Sequence, residues 1–220
     1  MQETALHSAL KDYFAPPGSA KEVLVDGYWI DVVDGELLIE IQTRNFTAIR
    51  NKLAVLLEHH SVRLVHPIAQ EKWIIRLPAE GDTPLSRRRS PRRGRAEHIF
   101  FELVRIPEML THPHFSIDII LTREEEIRRE DGKGSWRRNG VSIENRRLIE
   151  VVDHHLFTIP SDLLVLIPAD IVMPFTNRQL AEKLAIPQNL AARMSYCLKA
   201  MGLLAVVGKH NRSYLYQVLE

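Results

Sequence analysis

Cysteine is nearly absent: one, Cys197, stands in 220 residues. That excludes an internal disulfide framework and fits a reducing compartment. Long apolar runs are missing too, since none approaches the ~20 residues that a helix needs to cross a bilayer. The N-terminal MQETALHSALKDYF reads as an amphipathic helix, without the basic-then-apolar layout of an export signal. A soluble, cytoplasmic protein with no membrane partner is the expectation. There is no glycine-rich phosphate loop and no Gly-x-Ser-x-Gly, which argues against an NTPase or a serine hydrolase. The histidines at 59–60, 112, 114 and 154–155 lack partners at zinc-site spacing and read as ordinary surface or helix-end residues. Cys197 falls on the apolar side of a helix and reads as core filling.

Net charge is also small, +1, so the field of the whole molecule says little about partners. Its distribution says more. SRRRSPRRGR (86–95) holds six arginines and no acid. Apolar content of 45% and charged content of 26% are those of an ordinary globular chain.

Leu6, Leu10 and Phe14, spaced by four, predict a helix over 3–14 that APPGS stops. Two Asp-Gly pairs between β-branched and aromatic runs then predict a three-strand meander with two-residue turns. A helix over 46–60, two strands in VRLVHPI and KWIIRL, a loop over 78–97, a helix in FFELVRIPEML and a strand over 115–122 follow. Apolar periodicity fades between about 123 and 160. The organisation expected is therefore a first domain over 1–125, a basic connecting segment over 126–160 and a second domain over 161–220.

YWIDVVDGELLIEIQT (28–43) carries the chemistry. With Asp34-Gly35 as the hairpin loop, Asp31 faces Leu38, and Asp31, Glu40 and Gln42 share a face, with Ile30, Val32, Leu37, Ile39 and Ile41 on the other. Asp31 and Glu40 become diagonal neighbours, roughly 7–8 Å apart at the backbone. The first turn brings Glu22 opposite Asp31. Clustered carboxylates repel, and a hard divalent cation, Mg²⁺ or Mn²⁺, would offset that. The bland alternative is a solvated polar face.

At this point the chain resembles the PD-(D/E)xK, or restriction-endonuclease-like, nucleases over roughly residues 1–125. Asp31, eight intervening residues, Glu40-Ile41-Gln42, then a helix and a strand follow that family's order. The resemblance implies an α/β fold, a mixed sheet flanked by helices. It further implies a metal held by Asp31, Glu40 and the Ile41 carbonyl, with Glu3 and Glu22 as possible extra acids. Gln42 stands where the family usually has Lys. A minority of type II restriction enzymes share this Glu-x-Gln, in which Gln orients a water but brings no charge.

The last stretch, 174–220, reads as helix, turn, helix and two-stranded hairpin, with Thr176 as N-cap and Gly202 at a helix C-terminus. It resembles the winged helix-turn-helix family over 161–220, with SDLLVLI as the first helix. That implies Gln188, Asn189, Arg193, Tyr196 and Lys199 facing a DNA groove, and Lys209 and Arg212 on phosphates. The loop arginines Arg87, Arg88, Arg89, Arg92 and Arg93 could also follow a phosphate backbone, a solvated or disordered loop being the alternative, and Trp136 would stack on a base or pack. The leading expectation is a metal-dependent endonuclease acting on double-stranded DNA, possible as a homodimer by resemblance. Against it stand a non-catalytic DNA-binding regulator or complex subunit, and more distantly an RNA-binding protein.

Overall fold

The computed structural model describes residues 4–219. It is a mixed α/β structure in which helices flank a sheet of mixed direction. Helix α1 (Ala5–Tyr13) is capped by Thr4, whose side chain accepts from the His7 N–H. Strands β1 (Ala20–Val25), β2 (Tyr28–Asp34) and β3 (Leu37–Ile41) form an antiparallel meander. Its first turn is Asp26-Gly27, both at positive φ (+49° and +82°), as a tight turn matched to strand twist requires. The second loop is Gly35-Glu36, one residue later than expected, because Asp34 pairs with Leu37 and Gly35 takes the left-handed position at φ +58°.

A 3₁₀ turn (Phe46–Ile49) and helix α2 (Arg50–Leu56) cross over to β4 (Ser61–Leu77), which pairs in parallel with β3. The two strands expected in 61–77 are one 17-residue strand with an irregularity between Ala69 and Glu71. Part of the expected 78–97 loop is strand β5 (Ser86–Arg89), which pairs with β4 beyond the reach of β3. After the short helix α3 (Phe100–Leu103), β6 (Phe115–Arg129) runs parallel to β4, and β7 (Ser142–Phe157) closes the sheet antiparallel to β6. Residues 126–160 therefore supply the end of β6 and all of β7 where a connecting segment was expected. Helices α4 (Asn177–Leu184) and α5 (Gln188–Ala200) and the hairpin β8 (Leu204–His210)–β9 (Ser213–Val218) complete the chain. Residues 160–166 form a 3₁₀ segment where a first helix was expected. Among the described residues no helix is long and apolar enough to cross a membrane.

Two cores lie against the sheet. The smaller packs Leu6 and Leu10 of α1 on Val32, Ile39, Ile41, Val65 and Ile120. The larger joins Leu53 and Leu56 of α2 to Leu38, Leu64 and Ile117 and continues into Leu180, Leu190 and Leu198 of α4 and α5. Each leucine fully withdrawn from water contributes roughly 1.5–3 kcal/mol. The alternative of a solvated face is thus set aside. Leu38 and Glu40 are buried along with Ile39 and Ile41, because α2 covers their side. Cys197 is fully buried as expected, and burial pushes its thiol up to about 12.

Candidate active site

The β2–β3 ladder ends at the Val32–Ile39 pair, one residue short of Asp31. The side-chain alternation breaks there as well, since Ile30 packs with Leu38 on the α2 side while Val32 packs with Ile39 and Ile41 under α1. Where the ladder stops, the Asp31 side chain replaces it: Oδ2 accepts the Ile41 backbone N–H at 2.8 Å. The same oxygen takes a hydrogen bond from His7 Nε2 of α1 at 3.1 Å. Ile41 therefore contributes its N–H to the site.

Glu40 is 8% exposed. Its Oε1 lies 2.6 Å from the Nζ of Lys52, on α2, while Oε2 is buried with no hydrogen-bond partner. Lys52 is fixed by a second bond, to the Trp29 carbonyl at 2.5 Å. Burial first, and then the charge of Asp31, push the Glu40 carboxyl up to about 7, against the pull of Lys52. Burial also opposes the charge on Asp31, but the bonds from His7 and the Ile41 N–H outweigh it and hold that carboxyl below its ordinary value. One acid is thus kept ionised and its neighbour is left short of positive charge.

A cleft of about 530 Å³ opens here, lined by His7, Lys11, Glu22, Asp31, Gln42 and Arg146 among others. Glu22, opposite Asp31 as expected from the flanking Lys21–Val32 and Val23–Ile30 pairs, accepts from Lys11 Nζ at 2.6 Å. Glu3 lies outside the described residues. Gln42 lines the cleft, but its side-chain nitrogen donates to the carbonyls of Arg44 (2.6 Å) and Asn45 (3.2 Å). Its own backbone carbonyl accepts from His66 Nδ1 at 2.6 Å, and burial holds that imidazole below its ordinary value. Gln42 thus ties down the loop after β3. Among the described residues no group of three or more His, Cys, Asp or Glu side chains is close enough to hold a metal ion.

His7 and Lys52 were missed in the sequence. Both lie on helices, distant along the chain from the hairpin, and only their positions beside apolar stripes (Leu6–Leu10 and Ile49–Leu53–Leu56) hint that they point toward the sheet.

The residues expected to meet nucleic acid are less uniform. Gln188, Asn189, Tyr196, Lys199, Lys209 and Arg212 are exposed, with Lys209 Nζ 5.1 Å from the centre of the Tyr214 ring. Arg193 is turned the other way: its guanidinium sits over Phe101 at 5.4 Å and reaches the Phe101 carbonyl at 3.4 Å, joining α5 to α3. Arg87 and Arg89 lie over Trp73 and pair with Glu125 and Glu71, and Arg93 also pairs with Glu71. Arg88 and Arg92 have no carboxylate partner among the described residues.

Sheet, helices and acid-lined cleft define an α/β protein with a partly buried acid–lysine site. The chain belongs to the family described as "Domain of unknown function (DUF8091)", whose model matches residues 4–158. An "Uncharacterized protein" of Treponema pallidum (strain Nichols) is 38% identical over 152 residues, 68% of this chain and 60% of the relative. The chain thus matches less than two thirds of that relative's length. No solved structure matches.

Proposed function

We propose that the chain is a metal-dependent nuclease of the PD-(D/E)xK kind that hydrolyses phosphodiester bonds in DNA, with Asp31, Glu40 and Lys52 as its working groups. The observation that carries this reading is the Asp31–Glu40–Lys52 arrangement: two acids from adjacent strands, one with a buried oxygen lacking a partner, and a lysine 2.6 Å from that acid's other oxygen. The element order supports it, since a helix, an antiparallel meander, a helix and a strand parallel to β3 follow one another. Both the unpartnered Oε2 and the raised Glu40 carboxyl suit a cation beside them, so Asp31 and Glu40 would hold Mg²⁺ or Mn²⁺. Such an ion would polarise the scissile phosphate and acidify its bound water.

Lys52 supplies the positive charge that Gln42 lacks. A lysine ammonium close to the acids can orient a water and stabilise charge developing on the phosphate. Gln42 then serves to hold the 42–45 loop at the mouth of the cleft. The two helices and hairpin after residue 176 support a winged helix-turn-helix reading, with the exposed ends of α5 and of the β8–β9 hairpin docking on DNA.

A second reading, a non-catalytic DNA-binding subunit, is favoured by one observation: Asp31 Oδ2 is already engaged by His7 and the Ile41 N–H. Circular DNA, supercoiled and single-stranded, incubated with Mg²⁺ or Mn²⁺ separates the two. Metal-dependent cutting that Glu40→Ala abolishes supports the nuclease. DNA binding without cutting in either metal supports the scaffold.

A further inference from the structure

A second, larger cavity of about 1090 Å³ neighbours the acid-lined cleft and shares Ile143 and Arg146 with it. Its chemistry is lopsided. On its floor the buried Glu126 is shared by three cations: Arg128 at 2.6 Å, Lys72 at 3.2 Å and Arg146 at 3.4 Å. One carboxylate cannot neutralise three, and positive charge is left facing the cavity.

The walls add more. Arg88 of β5 and Arg92 of the following loop stand on one side, and Arg137 and Arg138 of the β6–β7 connection on another. None of these four has a carboxylate partner among the described residues. The loop is held close by Gly94, whose N–H donates to the Ala69 carbonyl at 2.9 Å. A Cβ there would lie 2.4 Å from that oxygen, so only glycine lets the arginine loop approach β4 so closely. The far end is bordered by Pro187, immediately before α5.

One aromatic residue completes the picture. Trp136, beside these arginines in sequence, is 81% exposed, with the Arg137 guanidinium 5.4 Å from its ring centre. An indole left in water offers a flat apolar surface for a partner. A duplex keeps its bases stacked inside and offers such a ring little, whereas an unpaired base can lie on it.

We infer that this groove binds single-stranded DNA, with its phosphates along the arginines and a base stacked on Trp136, and leads the strand past Arg146 to Asp31. The inference rests on the nuclease reading for what the strand is delivered to; binding itself does not depend on it.

The test is fluorescence anisotropy with a labelled 20-nucleotide single strand and the matching duplex, in EDTA so that no cutting intervenes. The single strand is expected to bind at least tenfold more tightly than the duplex. Arg88→Glu with Arg138→Glu should weaken it at least tenfold and flatten its salt dependence by about 0.7 in log–log slope per lost phosphate contact. Trp136→Ala should weaken it about fivefold or more. Since Trp136 is exposed, Trp136→Phe keeps the fold and should remove most of the tryptophan quenching that the strand causes. Equal or tighter duplex binding, or affinity unmoved by the arginine pair and by Trp136→Ala, overturns the inference. Tight groove-dependent binding by a protein that never cuts would overturn the nuclease reading alone, and cutting that ignores the groove variants would overturn this one alone.

Discussion

Lys52 Nζ lies 2.6 Å from Glu40 Oε1, which joins helix α2 to strand β3 at a buried acid. The pair is nearly withdrawn from water, with side-chain exposures of 14% and 10%. Breaking it leaves a buried carboxylate uncompensated, a change that costs about 3 kcal/mol or more. Lys52→Ala should therefore lower stability at pH 8, read from urea unfolding. It should also lower any cleavage rate about a hundredfold or more, whereas Lys52→Arg keeps part of both.

Glu40 dictates a pH dependence. Its folded value, about 7, lies above the ordinary 4.5, so the folded state holds the proton more tightly. The contribution to stability is complete below about 4.5 and is lost as pH rises through about 7, in total on the order of 3 kcal/mol. Between pH 5 and 8 the wild type should lose thermal stability relative to Glu40→Gln. Mn²⁺ at pH 8 should restore it in the wild type and not in the variant. Parallel profiles in both proteins would contradict the assignment.

Leu10 is completely buried between α1 and the sheet, and α1 holds His7 on Asp31. Leu10→Ala should cost about 2–5 kcal/mol by leaving a cavity. His7→Gln, which keeps a donor but carries no charge, should cost far less stability while raising the Asp31 carboxyl, readable by carbon-detected NMR titration.

Arg193 separates packing from DNA contact. Its guanidinium covers Phe101, so Arg193→Ala should lower stability by about 1 kcal/mol and leave DNA affinity within about twofold. Gln188→Ala and Asn189→Ala, at exposed positions of α5, should do the reverse in a binding titration.

The hairpin itself was legible from its Asp-Gly pairs and apolar runs, but the break in pairing at Asp31 was not, since alternation alone gives no sign of it. The capping of α4 was legible too: Thr176 accepts from the Gln179 N–H. Strand β7 was not, since it is mostly exposed and is held to β6 by cross-strand pairs such as Arg123–Glu150 and Arg129–Glu144, so it shows no apolar alternation. Strand β5 hid in the same way, as a four-residue edge rich in arginine. Lys52 and His7 were hidden for another reason: which helix side meets the hairpin is decided by tertiary packing and leaves little local mark.

The most direct measurement is the rate at which single-stranded and supercoiled circular DNA are cut at pH 8 in Mn²⁺ or EDTA, by the wild type and by Asp31→Asn. Asp31→Asn keeps an oxygen to accept the Ile41 N–H but removes the charge. Cutting by the wild type in Mn²⁺ alone, slowed about a hundredfold or more by Asp31→Asn, is the expected result. Cutting that Asp31→Asn leaves unchanged, or a wild type that binds DNA and cuts neither form, would contradict the nuclease assignment.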